Sequence, residues 1–139
     1  MGASLTNGFG GFAMVVAPPA FVAALCAFAA ATPAYAGEAE IIAAEARQAG
    51  DGTWTVSATI RHADEGWDHY SDAFEVLGPN DEVLATRILH HPHVDEQPFT
   101  RSISGVAVPD GVVRLRVRAR DSVHGYGSED VLIELDPDR

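Results

Sequence analysis

Six histidines, His62, His69, His90, His91, His93 and His124, are the residues of this chain best suited to chemistry. Neutral imidazole is a borderline ligand, and three or four within reach of one ion hold Zn²⁺, Cu²⁺ or Ni²⁺. Carboxylates run through the same stretches: Asp64, Glu65, Asp68, Asp72, Asp95, Glu96 and Asp121. Trp67, Tyr70 and Tyr126 lie among them and offer aromatic surface to a partner, while Phe99 and Tyr70 also suit a place capping the core. Spacing alone is weak support, because His91 and His93 need ligands from another segment to complete a site. The elements that position these segments decide the matter.

Strand signals recur every eight to fifteen residues, separated by turn chemistry, and no long helical period intervenes. Ile42, Ala44 and Ala46 start a weak alternation, although residues 38–48 also read as a helix. Trp54, Val56, Ala58 and Ile60 then alternate with Thr53, Thr55, Ser57 and Thr59, the pattern of a half-buried strand. Phe74 and Val76 mark a third strand, and Gly78-Pro79-Asn80-Asp81 turns it into a fourth over Val83 to Leu89. Residues 90–98 carry Pro92 and Pro98, which keep them out of a sheet. Phe99 to Val106 makes a fifth strand, and Pro109-Asp110-Gly111 turns the chain again. Val113, Leu115, Val117 and Ala119 alternate with Arg114, Arg116, Arg118 and Arg120 in a sixth; Val131, Ile133 and Leu135 close the chain. Seven short strands in about a hundred residues predict an all-β, antiparallel two-sheet sandwich.

The run Leu115-x-Val117-x-Ala119-x-Asp121, followed by Gly125-x-Gly127-Ser128, resembles the sixth strand and following loop of fibronectin type III and immunoglobulin-like domains. Trp54 on the second strand fits the same likeness. The resemblance implies architecture and nothing about activity, since such folds carry many unrelated functions.

Direction of chain then does the rest. In such a sandwich successive strands run oppositely, so loops alternate between two ends. Residues 62–71, 90–98 and 121–128 share one pole; residues 48–52, 78–82 and 107–111 share the other. Every histidine falls in the first set. His62 continues the inward parity of Trp54 to Ile60, so it points under the loops, and His124 sits among glycines able to bring it near. The predicted metal ligands are His62, His69, His91, His93 and His124, with Glu96 or Asp121 as carboxylate supplement. A competing reading has these histidines hydrogen-bonded by the nearby carboxylates for purely structural ends, and a metal-free protein- or glycan-binding surface at Trp67, Tyr70 and Tyr126. Under either reading the acidic neighbours are expected to raise histidine pKa values and make the pole responsive to pH.

Composition narrows the classes. The chain has 139 residues, nine basic side chains against twenty acidic ones and a net charge of −11. An acidic surface gains nothing by counterion release, which argues against nucleic acid or anionic lipid as partner. Residues 1–36 contain no Asp, Glu, Lys or Arg, run apolar from Phe12 to Ala31, and end Thr32-Pro33-Ala34-Tyr35-Ala36. Small residues at 34 and 36 predict a signal peptide cut after Ala36, leaving residues 37–139 as one periplasmic or secreted domain with no stable membrane anchor. The leader lacks the usual basic residue near its start. A retained anchor would be broken at Pro18-Pro19, and acylation of Cys26 would follow Leu25, a bulky residue for that processing site.

Cys26, Met1 and Met14 all precede the cut, so the domain has no sulfur. That excludes a disulfide, a thiolate site and a cysteine nucleophile, and argues against Cu(I). Zn²⁺ or Cu²⁺ is the expected cofactor, if any. The arginine ladder is expected to pair with Glu75, Asp130 and Glu134 rather than bind an anion. Ser71, Ser102 and Ser122 lie near histidines, with Asp72 or Asp121 available to orient a base, but no glycine-flanked nucleophile turn supports a hydrolase. Turnover is not expected; a metal-assisted hydrolase is the remaining enzymatic alternative.

Overall fold

The computed structural model describes residues 37–136, with residues 1, 2, 8, 10 and 11. The expected leader, apart from those five residues, and Cys26 with it, lies outside the described residues, as do residues 137–139. The chain divides into two compact units, Met1–Thr32 and Pro33–Arg139. Among the described residues no helix is long and apolar enough to cross a membrane.

Among its described residues the second unit is all β. Its strands are β1 (Glu40–Gln48), β2 (Trp54–Arg61), β3 (Ser71–Leu77), β4 (Val83–Ile88), β5 (Phe99–Val106), β6 (Arg114–Asp121), β7 (Gly125–Tyr126) and β8 (Val131–Glu134). One sheet has the order β1-β2-β5, and the other has β4-β3-β6 with β7 and β8 both pairing to β6. Every ladder is antiparallel. The sandwich thus has eight strands where seven were expected. The extra one is two residues long and folds the histidine-bearing loop back on β6, pairing Tyr126 with Arg120 and Gly125 with Asp121. Gly125 turns there at φ +81°, a conformation that a side chain would strain.

Alternation along the strands builds the core. Trp54, Val56, Ala58 and Ile60 of β2 are buried, as are Leu115, Val117 and Ala119 of β6, and Phe74 and Val76 join them from β3. Each fully buried Val, Ile, Leu or Phe side chain contributes roughly 1.5–3 kcal/mol, and this domain has no disulfide to supplement it. β1 departs from the expected pattern. Residues 38–48 do not form a helix: Glu40 to Gln48 pair with β2. A bulge between Ile41 and Ala43 shifts the phase, so Ile41 is buried and Ile42 is exposed, and the expected alternation holds only from Ala44 onward.

On the outer face of the second sheet the arginines meet acids. Arg118 pairs with Glu75 at 2.8 Å, Arg116 with Asp130 at 2.8 Å and Arg114 with Glu134 at 2.7 Å. Asp72 takes Arg120. The ladder is neutralised across neighbouring strands, as the alternation required.

Candidate metal centre

Loops 62–71, 90–98 and 121–128 are tied together by two buried carboxylates. The first is Asp64, whose side chain is fully buried. Its Oδ1 accepts the Nδ1–H of His62 at 2.6 Å and the backbone N–H of Ser71 at 3.0 Å. Its Oδ2 accepts the backbone N–H of His93 at 2.6 Å. Taking a carboxylate out of water costs several kcal/mol, and charge-assisted hydrogen bonds to both oxygens offset that cost. Gln97 adds a second tie, accepting the N–H of His62 at 3.0 Å and donating to the carbonyl of His93 at 3.1 Å.

His62 keeps the inward parity of β2 and is buried. Its Nε2 faces the carbonyl oxygen of Gly37 at 3.0 Å, so both ring nitrogens point at acceptors. With Nδ1 held by Asp64, Nε2 is the nitrogen left for a metal, and Asp64 is the oriented carboxylate behind it.

The second carboxylate is Asp121, at the end of β6 and also fully buried. One oxygen, Oδ1, accepts four donors: the backbone N–H groups of Val123 at 2.9 Å and His124 at 2.7 Å, Nδ1 of His124 at 3.1 Å, and Nε2 of His69 at 3.1 Å. The other, Oδ2, is buried with no hydrogen-bond partner. Burial pushes the Asp121 carboxyl upward, but the N–H groups of His124 and Val123 and the His124 ring outweigh it and hold the group below the usual carboxylate range. Asp121 is therefore an anion with one oxygen saturated and one idle.

Around it the imidazoles converge. His62 and His69 rings lie 4.8 Å apart edge to face, and His69 and His124 rings 5.0 Å apart. One donor atom each from His62, His69 and Asp121 lie within 4.8 Å of one another, all on buried residues. A tetrahedral ion with bonds of about 2.0–2.1 Å wants donors roughly 3.3 Å apart. Closing the gap takes rotamer adjustment and loss of the protons on the coordinating nitrogens, which the ion would replace. Glu65 stands outside the set, 3.5 Å from Nδ1 of His69.

The remaining expected ligands sit on the far side of Asp64. His93 is buried and stacked on Phe99, centroids 3.8 Å apart and planes 10° off parallel, with Nδ1 3.9 Å from Asp64 Oδ2. Neither of its ring nitrogens has a hydrogen-bond partner. Burial, and then the nearby Arg101, lower its pKa, which reverses the expected rise from acidic neighbours. His91 lies against it at 4.6 Å but is exposed, as is His90. Glu96 pairs with Arg101 at 3.0 Å, and that hydrogen bond holds its carboxyl below the usual range.

So the structure brings His62, His69, His124 and Asp121 into one cluster and sets His91, His93 and Glu96 apart. Of the aromatic candidates, Trp67 is 69% exposed and meets Tyr70 edge-on at 5.7 Å. Tyr126 is elsewhere, on the outer sheet face, where it donates to Glu75 and lies under the Arg118 guanidinium at 4.1 Å. Ser71 is buried and donates to the Arg120 carbonyl, and Ser102 pairs with Ser57 across the first sheet. The sequence places Asp64 among the acids of these loops without assigning it this role, and it does not mark Gly37 as a contact. The signal for Asp64 was its place two residues after an inward-facing histidine; nothing local marked Gly37.

No family model matches the chain. A protein of Halomicrobium mukohataei named "Putative lipoprotein" is 33% identical over 99 residues, which is 71% of this chain and 48% of that protein. The chain thus spans about half the length of the curated relative it matches. Among solved structures, a superoxide reductase (neelaredoxin) of Archaeoglobus fulgidus in the reduced form matches with a TM-score of 0.36 and 14% identity, over 70% of this chain and 86% of that one. A likeness that loose says nothing about the site.

Proposed function

We propose that this pole binds a divalent transition metal, Zn²⁺, Cu²⁺ or Ni²⁺, through His62, His69 and Asp121, with His124 as a further donor beside Asp121. The observation that carries the reading is the idle oxygen of Asp121. A buried, ionised carboxylate keeps a lone-pair oxygen without a partner at high cost, and this carboxylate offers an oxygen within 4.8 Å of a nitrogen of His62 and of His69. Nitrogen and oxygen donors without sulfur suit these ions. The role is capture, delivery or sensing rather than turnover. Export fits the apolar leader, and the name of the Halomicrobium relative supports a location outside the cytoplasm or at the membrane. Strand order, with β1-β2-β5 against β4-β3-β6, supports reading the sandwich as a relative of the fibronectin type III and immunoglobulin-like folds.

Equilibrium dialysis against Zn²⁺ tests the reading. One ion per chain is expected, lost in His69→Ala and in Asp121→Ala and kept in His91→Ala. Binding unchanged by His69→Ala and Asp121→Ala removes this site.

A second reading, a metal-free interaction module, draws on Trp67, which is 69% exposed beside Tyr70 at the same pole. Loss of a captured partner in Trp67→Ala, with no response to metal, would favour it.

A further inference from the structure

The segment that leads into β1 is pinned across the metal centre. His62 Nε2 donates to the Gly37 carbonyl at 3.0 Å, on the one nitrogen of that ring that Asp64 leaves for an ion. The Glu38 carboxylate accepts the backbone N–H of Ser128 at 2.7 Å, and Ala39 is buried. A Cβ added at Gly127 would come within 2.6 Å of the Ala39 carbonyl, so only glycine there lets the loop after β7 close on this segment. His62 holds Gly37 itself, and the loop after β7 holds Glu38 and Ala39 just after it.

We propose that Gly37 completes the metal centre: cleavage after Ala36 frees its α-amine, and that nitrogen and the Gly37 carbonyl oxygen chelate the ion held by His62, His69 and Asp121. This rests on the metal-binding reading above. An ion at His62 Nε2 takes the position of the proton now shared with the Gly37 carbonyl, so it meets that oxygen first. Amine nitrogen and carbonyl oxygen of one residue close a five-membered chelate ring. A neutral peptide nitrogen has its lone pair delocalised into the carbonyl, so with Zn²⁺ the ring closes only when Gly37 is the first residue. One nitrogen each of His62, His69 and the amine donates a lone pair to the ion, and any proton carried on that nitrogen passes to water. No electron is transferred.

The test begins with the intact mass of the exported protein, expected to start at Gly37. A different first residue, or a lipid on Cys26, overturns the proposal. Zn²⁺ affinity is then measured calorimetrically for chains starting at Gly37, starting at Ala36, and starting at an acetylated Gly37. Among the described residues the buried core runs from Ala39 to Ile133, inside the compact unit Pro33–Arg139, and thermal unfolding verifies that each form is folded. The free Gly37 start is expected to bind about tenfold tighter or more than the other two, the size that loss of a supporting group has at metal sites. That gain is expected to vanish in His69→Ala, because amine and imidazole share one ion. Equal affinity of the three forms sinks the amine ligand and leaves the His62–His69–Asp121 centre standing. A gain that survives His69→Ala shows the amine binding zinc by itself, which also overturns the proposal. No binding by any form removes the centre as well.

Discussion

Asp64 has an imidazole on either side, and the protein uses the two in opposite ways. On one side His62 gives Nδ1 to Asp64 and turns Nε2 toward Gly37, and one of its nitrogens lies within 4.8 Å of donor atoms of His69 and Asp121. On the other, His93 gives Asp64 a hydrogen bond only from its backbone N–H, its Nδ1 stands 3.9 Å from that carboxylate, and its ring lies flat on Phe99 with neither nitrogen hydrogen-bonded. The first ring is handled as a polar group and the second as an aromatic plate. Being buried beside a carboxylate therefore does not make a histidine a ligand; what matters is which atoms the neighbours occupy and which they leave.

Removing Asp64 should break the comparison altogether. Asp64→Ala leaves His62 buried with no carboxylate and cuts the tie between loops 62–71 and 90–98. A loss of about 3–5 kcal/mol is expected, read from the urea midpoint. Next in size is the response to metal. Zinc at one hundred times its dissociation constant should stabilise the protein by about 2.7 kcal/mol, detected as a rise in Tm, and should do nothing for Asp121→Ala. A rise of the same size in that variant would move the ion off the proposed cluster.

His93 sharpens the contrast. Because its ring nitrogens make no hydrogen bonds, His93→Phe should keep or raise stability, by about 1 kcal/mol at most, and leave zinc affinity unchanged. The pH dependence has a definite sign. Burial depresses the folded pKa below the unfolded value of about 6.5, so the unfolded chain takes up the proton first. Relative to His93→Phe, the wild type should lose stability as pH falls below about 6.5 and show no pH-linked deficit above it. Parallel curves for the two proteins would contradict the assignment. Smallest of all, His91→Ala and Glu96→Gln should leave zinc affinity within about twofold, since both side chains lie outside the cluster.

Periodicity carried much of this. The inward parity of His62, the gathering of three loops at one pole and the pairing of the arginine ladder all follow from strand alternation and chain direction. Ile42 shows the limit: a bulge of one residue reverses the face of a strand, and nothing in residues 40–43 announces it. His93 and His69 were indistinguishable in sequence, because one is set by the face of Phe99 and the other by Asp121, partners six and fifty-two residues away. Tyr126 was expected at the pole, and the two-residue β7 carries it to the sheet face instead. Strand spacing was legible; hydrogen bonds between loops were not.

A crystal of the protein grown with Zn²⁺, with anomalous scattering recorded at the zinc edge, tests the central claim most directly. One peak is expected, within about 2.0–2.2 Å of a His62 nitrogen, a His69 nitrogen and an Asp121 oxygen. A peak at His91 and His93, or none at the pole with zinc in excess, would contradict it.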